Sequence, residues 1–179
     1  MTKNKAVFID RDGVINEVLT KRVKFVNKPN DLFYLDKVPE AIGLLSSADY
    51  LIFVVTNQGG VGLGYMTEEQ LEKIHKKMKI DLESEGGEIQ DIASCIHKPN
   101  EGCSCRKPEA GMILKLAEQY KIDIDKSYMI GDRDVDIEAG RKAGCSTIFI
   151  GKEDNTVDAN FSFPTLYAAA NWLKSTSNL

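Results

Sequence analysis

A three-layer α/β fold, a Rossmann-like parallel sheet with helices on both faces, is what three features of the chain point to. Short apolar runs rich in β-branched residues, such as Ala6-Val7-Phe8-Ile9 and Leu51-Ile52-Phe53-Val54-Val55, are bounded by polar residues, the pattern of strands buried on both faces. Between them lie stretches whose apolar residues recur every three or four positions, as on a helix with one buried face. The first, second and fourth runs each end in carboxylates or small polar residues beside a glycine. In open α/β sheets that carboxyl end is where ligands bind. With 179 residues, 42% hydrophobic and 28% charged, the chain suffices for one such domain, expected to span 1–179.

The first run ends in Asp10-Arg11-Asp12-Gly13. Residues 10 and 12 point the same way on extended backbone, so two carboxylates share one small site and call for a divalent cation to offset their repulsion. Gly13 permits a tight turn. Residues 14–37 are polar and irregular, with a small hairpin suggested by Val23, Phe25 and Val26 and a turn by Lys28-Pro29-Asn30-Asp31; the segment is expected to form a flap over the site. A helix starting near Pro39 carries Val38, Ala41, Ile42 and Leu45 on its apolar face. The second strand, Tyr50–Val55, ends in Thr56-Asn57-Gln58; on their own these residues read first as a plain turn, while the Thr56 hydroxyl and Asn57 amide also suit an oxyanion. Gly59, Gly60, Gly62 and Gly64 match neither a dinucleotide fingerprint nor a P-loop and read as a mobile loop. Thr67-Glu68-Glu69-Gln70 is a capping box, opening a helix with Leu71, Ile74, Met78 and Leu82 on one stripe. His75 falls beside that stripe and reads as a packing or solvated histidine.

A third strand, Ile89 to Ile96, leads into the loop 95–105, which carries Cys95, His97, Cys103 and Cys105. Residues two apart on extended backbone project to one side, and the link containing Pro99 and Gly102 can fold one pair over the other. One imidazole and three thiolates suit a closed, structural, tetrahedral Zn²⁺. Arg106 and Lys107 follow at once, a fork and a point charge for oxyanions. The next helix buries Ile113, Leu116, Ala117 and Tyr120, and a fourth strand, Ser127–Ile130, ends in Gly131-Asp132-Arg133-Asp134-Val135-Asp136. Asp132 is placed to complete a Mg²⁺ shell with Asp10, while Asp134 and Asp136 suit the positive end of a helix running through Ala143. Cys145 reads as an ordinary core residue. A fifth strand at Thr147–Ile150, a short edge strand at Asn160–Phe163 and a closing helix at Leu166–Leu173 complete the chain, its last six residues expected to fray.

The net charge of −4 is mixed along the sequence, with no basic run of the kind that neutralises a nucleic acid backbone. No apolar stretch reaches signal-peptide or membrane-spanning length, so a cytoplasmic location without a membrane partner is expected. In a reducing compartment three cysteines clustered beside a histidine favour metal over disulfides.

Asp10-x-Asp12-Gly13-Val14, Thr56-Asn57, Lys107 and Gly131-Asp132-(x)₃-Asp136 resemble, in order and in position, the four motifs of the haloacid dehalogenase superfamily of phosphohydrolases. Asp10 through Asn16, Thr56-Asn57-Gln58, the Cys-x-His and Cys-x-Cys pairs and Cys-Arg-Lys-Pro resemble more narrowly its heptose 1,7-bisphosphate and histidinol-phosphate phosphatases. The resemblance implies a Mg²⁺-dependent phosphomonoester hydrolase acting on a small phosphorylated metabolite. Asp10 would be the nucleophile and Asp12 the general acid and base, one ionised and the other protonated. Asp10, the Asp12 carbonyl and Asp132 would hold Mg²⁺, and Thr56, Asn57 and Lys107 would stabilise the phosphoryl oxygens. Asp136 would orient Lys107, and Gln58, Arg106 and Arg133 would contact substrate. The linker between the second and third motifs is too short for a large cap domain, and a monomer is expected. Val18-Leu19-Thr20-Lys21-Arg22-Val23 stands where heptose enzymes carry an acidic residue and a Gly-Tyr pair, which leaves histidinol phosphate as the alternative substrate. A non-catalytic, zinc-stabilised phosphate-binding domain is the reading of another class.

Overall fold

The computed structural model describes residues 3–152 and 156–177. Among them six strands form one sheet: β1 (Ala6–Ile9), β2 (Leu51–Asn57), β3 (Ile89–Cys95), β4 (Tyr128–Gly131), β5 (Ser146–Ile150) and β6 (Phe161–Phe163), in the order β3-β2-β1-β4-β5-β6. Every neighbouring pair is parallel. The helices are α1 (Val38–Ser47), the single turn α2 (Gly59–Gly62), α3 (Glu68–Leu82), α4 (Gly111–Gln119), α5 (Asp134–Ala143) and α6 (Leu166–Thr176).

Alternation along the strands sorts side chains into two cores. Val7 and Ile9 face a cluster shared with α1, α3 and α6, through Ile42, Leu45, Ile74, Met78 and Leu173. Ala6 and Phe8 face the opposite cluster, with Met112, Ile113 and Leu116 of α4 and Ala139 of α5. All four residues of β1 are fully buried. At about 1.5–3 kcal/mol for each large apolar side chain removed from water, this central strand is the most firmly held place on which to mount a reactive group. The chain steps outward from β1 to β3 and then returns to the other side of β1 as β4, so the topological switch point lies between β1 and β4.

Three segments depart from expectation. The hairpin expected around residues 23–26 is a tight turn closed by Leu19 N–H to Lys24 C=O (2.9 Å) and Thr20 N–H to Val23 C=O (2.9 Å), with no strand ladder. Its segment is pinned by buried Val14, Ile15, Val23, Val26 and Leu32 and by Leu35 N–H bonding Ile15 C=O. Of the glycines expected to form a mobile loop, Gly59, Gly60 and Gly62 instead form α2, packed against the 95–105 loop, and Gly64 lies just beyond it at a φ of +81°. The Gly62 N–H donates to Ile96 C=O at 3.0 Å, and a Cβ on Gly62 would meet that oxygen at 2.6 Å. Glycine is therefore present for close approach rather than mobility. The closing helix continues to Thr176 because Thr176 and Ser177 hydroxyls bond the Leu173 carbonyl, so fraying does not begin at 174; residues 178 and 179 lie outside the described residues.

Between Asn57 and Lys107 run α2, α3, β3 and the 95–105 loop, with no inserted cap domain. Among the described residues no helix is long and apolar enough to cross a membrane.

Candidate active site

Asp10 follows β1 directly, at the switch point, its N–H bonded to Ile130 C=O of β4 at 2.9 Å. Lys107 reaches the same spot from the far end of the 95–105 loop. Its Nζ lies 2.7 Å from Asp10 Oδ1, 2.7 Å from Asp136 Oδ1 and 2.7 Å from the Val55 carbonyl, with 3% of the residue exposed. Burial works against the ammonium, but Asp10 and Asp136 outweigh it and hold Lys107 above its ordinary pKa. Asp136 Oδ2 meanwhile accepts the Arg133 N–H at 3.1 Å at the start of α5, so both of its oxygens are engaged.

Asp132, just past β4, closes the other side of the crevice. One oxygen each from Asp10, Asp132 and Asp136 lie within 4.8 Å of one another. With Asp136 committed to Lys107 and the α5 backbone, Asp10 and Asp132 are the pair left to face a cation. Asp132 Oδ1 is buried without a hydrogen-bond partner, the condition of a carboxylate oxygen that awaits a ligand. Burial, then the charge of Asp136, pushes the Asp132 carboxyl up. Burial likewise pushes Asp10 well above the carboxylate range despite Lys107. A hard divalent ion would relieve both, so the donors fit Mg²⁺. Gly13 makes the cluster possible: its φ is +91°, and a Cβ there would sit 2.1 Å from Asp132 Oδ2.

Asp12 is held quite differently. Arg11 forks onto it, Nε to Oδ1 at 3.0 Å and Nη2 to Oδ2 at 3.2 Å; Asn16 Nδ2 donates to Oδ1 and Gln58 Nε2 to Oδ2, each at 2.9 Å. Burial opposes the charge, yet Arg11, Asn16 and Gln58 together hold the carboxyl below its ordinary value. The order of the two carboxyls is thus the reverse of the protonated Asp12 and ionised Asp10 expected from the reaction. The reason is the present charge balance: Asp12 is fully solvated by donors, whereas Asp10 lies among other carboxylates. A cation near Asp10 and a phosphate dianion near Asp12 push each toward the expected state.

Thr56 ends up inside this crevice, 1% exposed, its Oγ accepting from Gln58 Nε2 at 2.8 Å. A hydroxyl that accepts still has its own hydrogen to donate to a phosphoryl oxygen. Asn57 and Gln58 both have partners within the protein. The Asn57 amide grips the Lys107 backbone at both ends, Nδ2 to C=O and N–H to Oδ1, each at 3.0 Å. Gln58 directs Nε2 at Thr56 and Asp12 rather than toward open space. Arg133 is exposed beside Asp132, and half-buried Arg106 leans over the 95–105 loop, Nη1 to His97 C=O at 3.5 Å.

In that loop Cys95, His97, Cys103 and Cys105 converge. Cys95 Sγ lies 3.6 Å from Cys103 Sγ, 3.1 Å from Cys105 Sγ and 3.4 Å from His97 Nδ1, and His97 Nδ1 lies 3.2 Å from Cys105 Sγ. Zn–S bonds of about 2.3 Å imply tetrahedron edges of about 3.5–3.8 Å, so the donors stand at nearly the required spacing. Burial and its neighbouring thiols push Cys105 up to about 12; Cys103, which burial alone would raise, is brought down to about 7 by the Arg106 N–H and the adjoining thiols. Crowded thiols that cannot all ionise together are what a cation resolves, and the donor set fits Zn²⁺. Cys145 lies apart, buried in the core as expected, its thiol pushed up to about 12 by burial.

Sequence reasoning left three polar residues of the site without a role. Arg11 and Asn16 are fully buried against Asp12, and His75 Nε2 lies 3.1 Å from Arg11 Nη1. Arg11 carried a signal, a cation between two carboxylates; His75, 64 positions away, carried none.

A family profile described as HAD-hydrolase-like matches residues 104–170. The D-glycero-alpha-D-manno-heptose-1,7-bisphosphate 7-phosphatase of Photorhabdus laumondii is 37% identical over 157 residues, 84% of each chain. The enzyme of the same name from Campylobacter jejuni is 36% identical over 173 residues, 96% of this chain and 97% of its own. Among solved structures, the D,D-heptose 1,7-bisphosphate phosphatase of B. bronchiseptica, complexed with magnesium and phosphate, superposes with a TM-score of 0.86 at 31% identity, covering 96% of this chain and 99% of its own.

Proposed function

This chain belongs to the haloacid dehalogenase-like phosphatases, and from that premise we propose that it removes the 7-phosphate of a D-glycero-D-manno-heptose 1,7-bisphosphate through an aspartyl phosphate on Asp10. The observation that carries the chemistry is the 2.7 Å contact between a buried lysine and the carboxylate at the switch point, with Asp132 opposite. Lys107 orients Asp10 and offers positive charge to the arriving phosphoryl group. One Asp10 oxygen attacks phosphorus, the bond from phosphorus to the sugar oxygen breaks, and Asp12 gives its proton to that oxygen. Asp12 then takes a proton from water as the water oxygen attacks phosphorus, and the bond to Asp10 breaks to free phosphate. Thr56 donates its hydroxyl hydrogen to a phosphoryl oxygen. Asn57 keeps Lys107 in place, and Gln58 keeps Asp12 and Thr56 aligned. Asp10, Asp132 and the Asp12 carbonyl would hold Mg²⁺, which would supply positive charge beside the nucleophile and the phosphoryl oxygens.

The same reading assigns Zn²⁺ to Cys95, His97, Cys103 and Cys105 as a structural ion, and Arg106 and Arg133 to the sugar or its second phosphate. It takes residues 1–179 as one domain, working as a cytoplasmic monomer. Four cysteines without disulfides among the described residues support a reducing location. The named relatives favour a heptose substrate, and the test is phosphate release from heptose 1,7-bisphosphate, in both anomers, beside histidinol phosphate. Turnover of either heptose anomer at least about tenfold faster in kcat/KM supports the proposal. Preference for histidinol phosphate would overturn the substrate, and loss of all activity in Asp10→Asn but not in Lys107→Arg would leave the chemistry standing.

A further inference from the structure

We infer that His75 is a positioning residue for the phosphatase reaction, holding the Arg11 guanidinium in the one orientation that keeps Asp12 aimed at the leaving oxygen. The inference rests on the reading of Asp12 as general acid. Arg11 is fully buried, and among the described residues its three nitrogens have two side-chain partners. Nε and Nη2 form the fork onto Asp12, and Nη1 reaches His75 Nε2 at 3.1 Å. Guanidinium has no acceptor, so Nε2 must be the acceptor and the ring neutral with its hydrogen on Nδ1. A planar fork gripped at one edge only can still swing about the axis of that grip; a third contact on the free nitrogen removes the swing.

The third contact comes from a rigid support. α3 is fixed at its start by the reciprocal Thr67–Gln70 capping box and along its length by buried Leu71, Ile74, Met78 and Leu82. Tyr34, from the segment 14–37, donates to Asp81 on the same helix at 2.6 Å. Asn16 of that segment is itself bonded to Asp12 at 2.9 Å. The acid is therefore set by two lines that both end on α3, one through Arg11 and one through that segment. Nothing about His75 brings it to the phosphoryl group. It acts through Arg11 and Asp12.

A lost proton donor matters in proportion to how badly the leaving oxygen needs a proton. The test compares a sugar phosphate, whose alkoxide is a poor leaving group, with 2,4-dinitrophenyl phosphate, whose phenolate needs none. In His75→Leu, the single-turnover rate of phosphoryl transfer from the sugar phosphate should fall roughly ten- to hundredfold, while the pre-steady-state burst of dinitrophenolate keeps its wild-type rate, because that step needs no acid even though hydrolysis of the aspartyl phosphate still needs Asp12 as base. His75→Gln, whose amide oxygen can accept from Arg11, should restore most of the loss. Equal losses of the transfer rate on both esters, no loss on either, or failure of His75→Gln to recover the sugar phosphate transfer rate while remaining folded would overturn the inference. If His75→Leu does not fold, His75→Gln against His75→Glu decides, since an anion there competes with Asp12 for Arg11 and should reproduce the selective loss; absence of that loss would count against the relay. Asp12→Asn is measured alongside. If it discriminates between the esters and His75→Leu does not, the relay alone is wrong; if Asp12→Asn does not discriminate, the acid assignment fails and the relay with it.

Discussion

Lys107 carries more of the site than any other side chain, because it is the sole cation in contact with two buried carboxylates, Asp10 and Asp136, among the described residues. Replacing it with methionine leaves those charges without compensation, and in Mg²⁺-free buffer Lys107→Met should be destabilised by about 3–5 kcal/mol in urea denaturation. Adding Asp136→Asn to that variant should recover part of the loss; no recovery would show that the pair does not share the lysine. His75 makes a pH prediction. Burial, then the nearby Arg11 charge, brings its pKa down from 6.5 to about 3, so between those values the unfolded chain binds the extra proton. Its contribution to stability is complete above 6.5 and lost as the solution is acidified toward 3, at up to about 1.4 kcal/mol per pH unit. Asp12, also held down, adds its own loss below its ordinary value of 3.8. His75→Gln should therefore flatten the acid limb of the melting curve between pH 6.5 and about 4 and leave the Asp12 portion; an unchanged limb would contradict the neutral, half-buried histidine. Residue by residue, the chain announces what is local. Asp10, Asp12 and Asp132 stand at strand ends, and strand ends are visible in a string of letters. His75, the second partner of Arg11, and Lys107, the partner of Asn57, lie 64 and 50 positions away, and only folding reveals them.

The 95–105 loop is an element with almost no regular structure, yet it sets the backbone of Lys107 and packs on α2 through the Ile96 carbonyl. Its order is expected to come from metal, because thiols 3.1–3.6 Å apart repel once ionised and are drawn together by a cation. Cys103→Ser, or prolonged exposure to a strong chelator, should lower the melting temperature by several degrees and release zinc measurable by a colorimetric dye. Unchanged melting and no released zinc would exclude a structural metal. The ligand spacing was readable because Cys-x-His and Cys-x-Cys pairs on extended backbone have fixed reach. The glycines after β2 were misread because glycine permits both mobility and contact, and only the Ile96 carbonyl 2.6 Å from a Gly62 Cβ decides for contact. The segment 14–37, expected as a flap, bonds Asp12 through Asn16, and its turn lacks a ladder because Val23 and Val26 turn inward to the core instead of pairing.

At the scale of the molecule, the order β3-β2-β1-β4-β5-β6 does one thing for chemistry: it opens a crevice between β1 and β4 and leaves the end of β2 beside it. Asp10, Thr56 and Asp132 leave three different strands within that crevice, and Lys107 enters it from the loop after β3. The parallel sheet, though not its strand order, was inferred from buried apolar runs with helices between them, which is a property of the whole sequence and survives errors of a residue or two at each boundary. The charge states of Asp10 and Asp12 in the reaction depend on a cation and a phosphate, and the surrounding side chains alone push the two carboxyls the other way, Asp10 up by burial and Asp12 down through Arg11, Asn16 and Gln58. The central claim is that these strand ends deliver Asp10 to phosphorus as a nucleophile. Acid quench of the Asp12→Asn variant during turnover of 2,4-dinitrophenyl phosphate, followed by peptide mass spectrometry, tests it directly, because the ester needs no acid to form the intermediate while its hydrolysis still needs the base. A phosphoryl group on the peptide at Asp10 is the predicted result; phosphate released with no such adduct, or an adduct on another residue, would contradict the account.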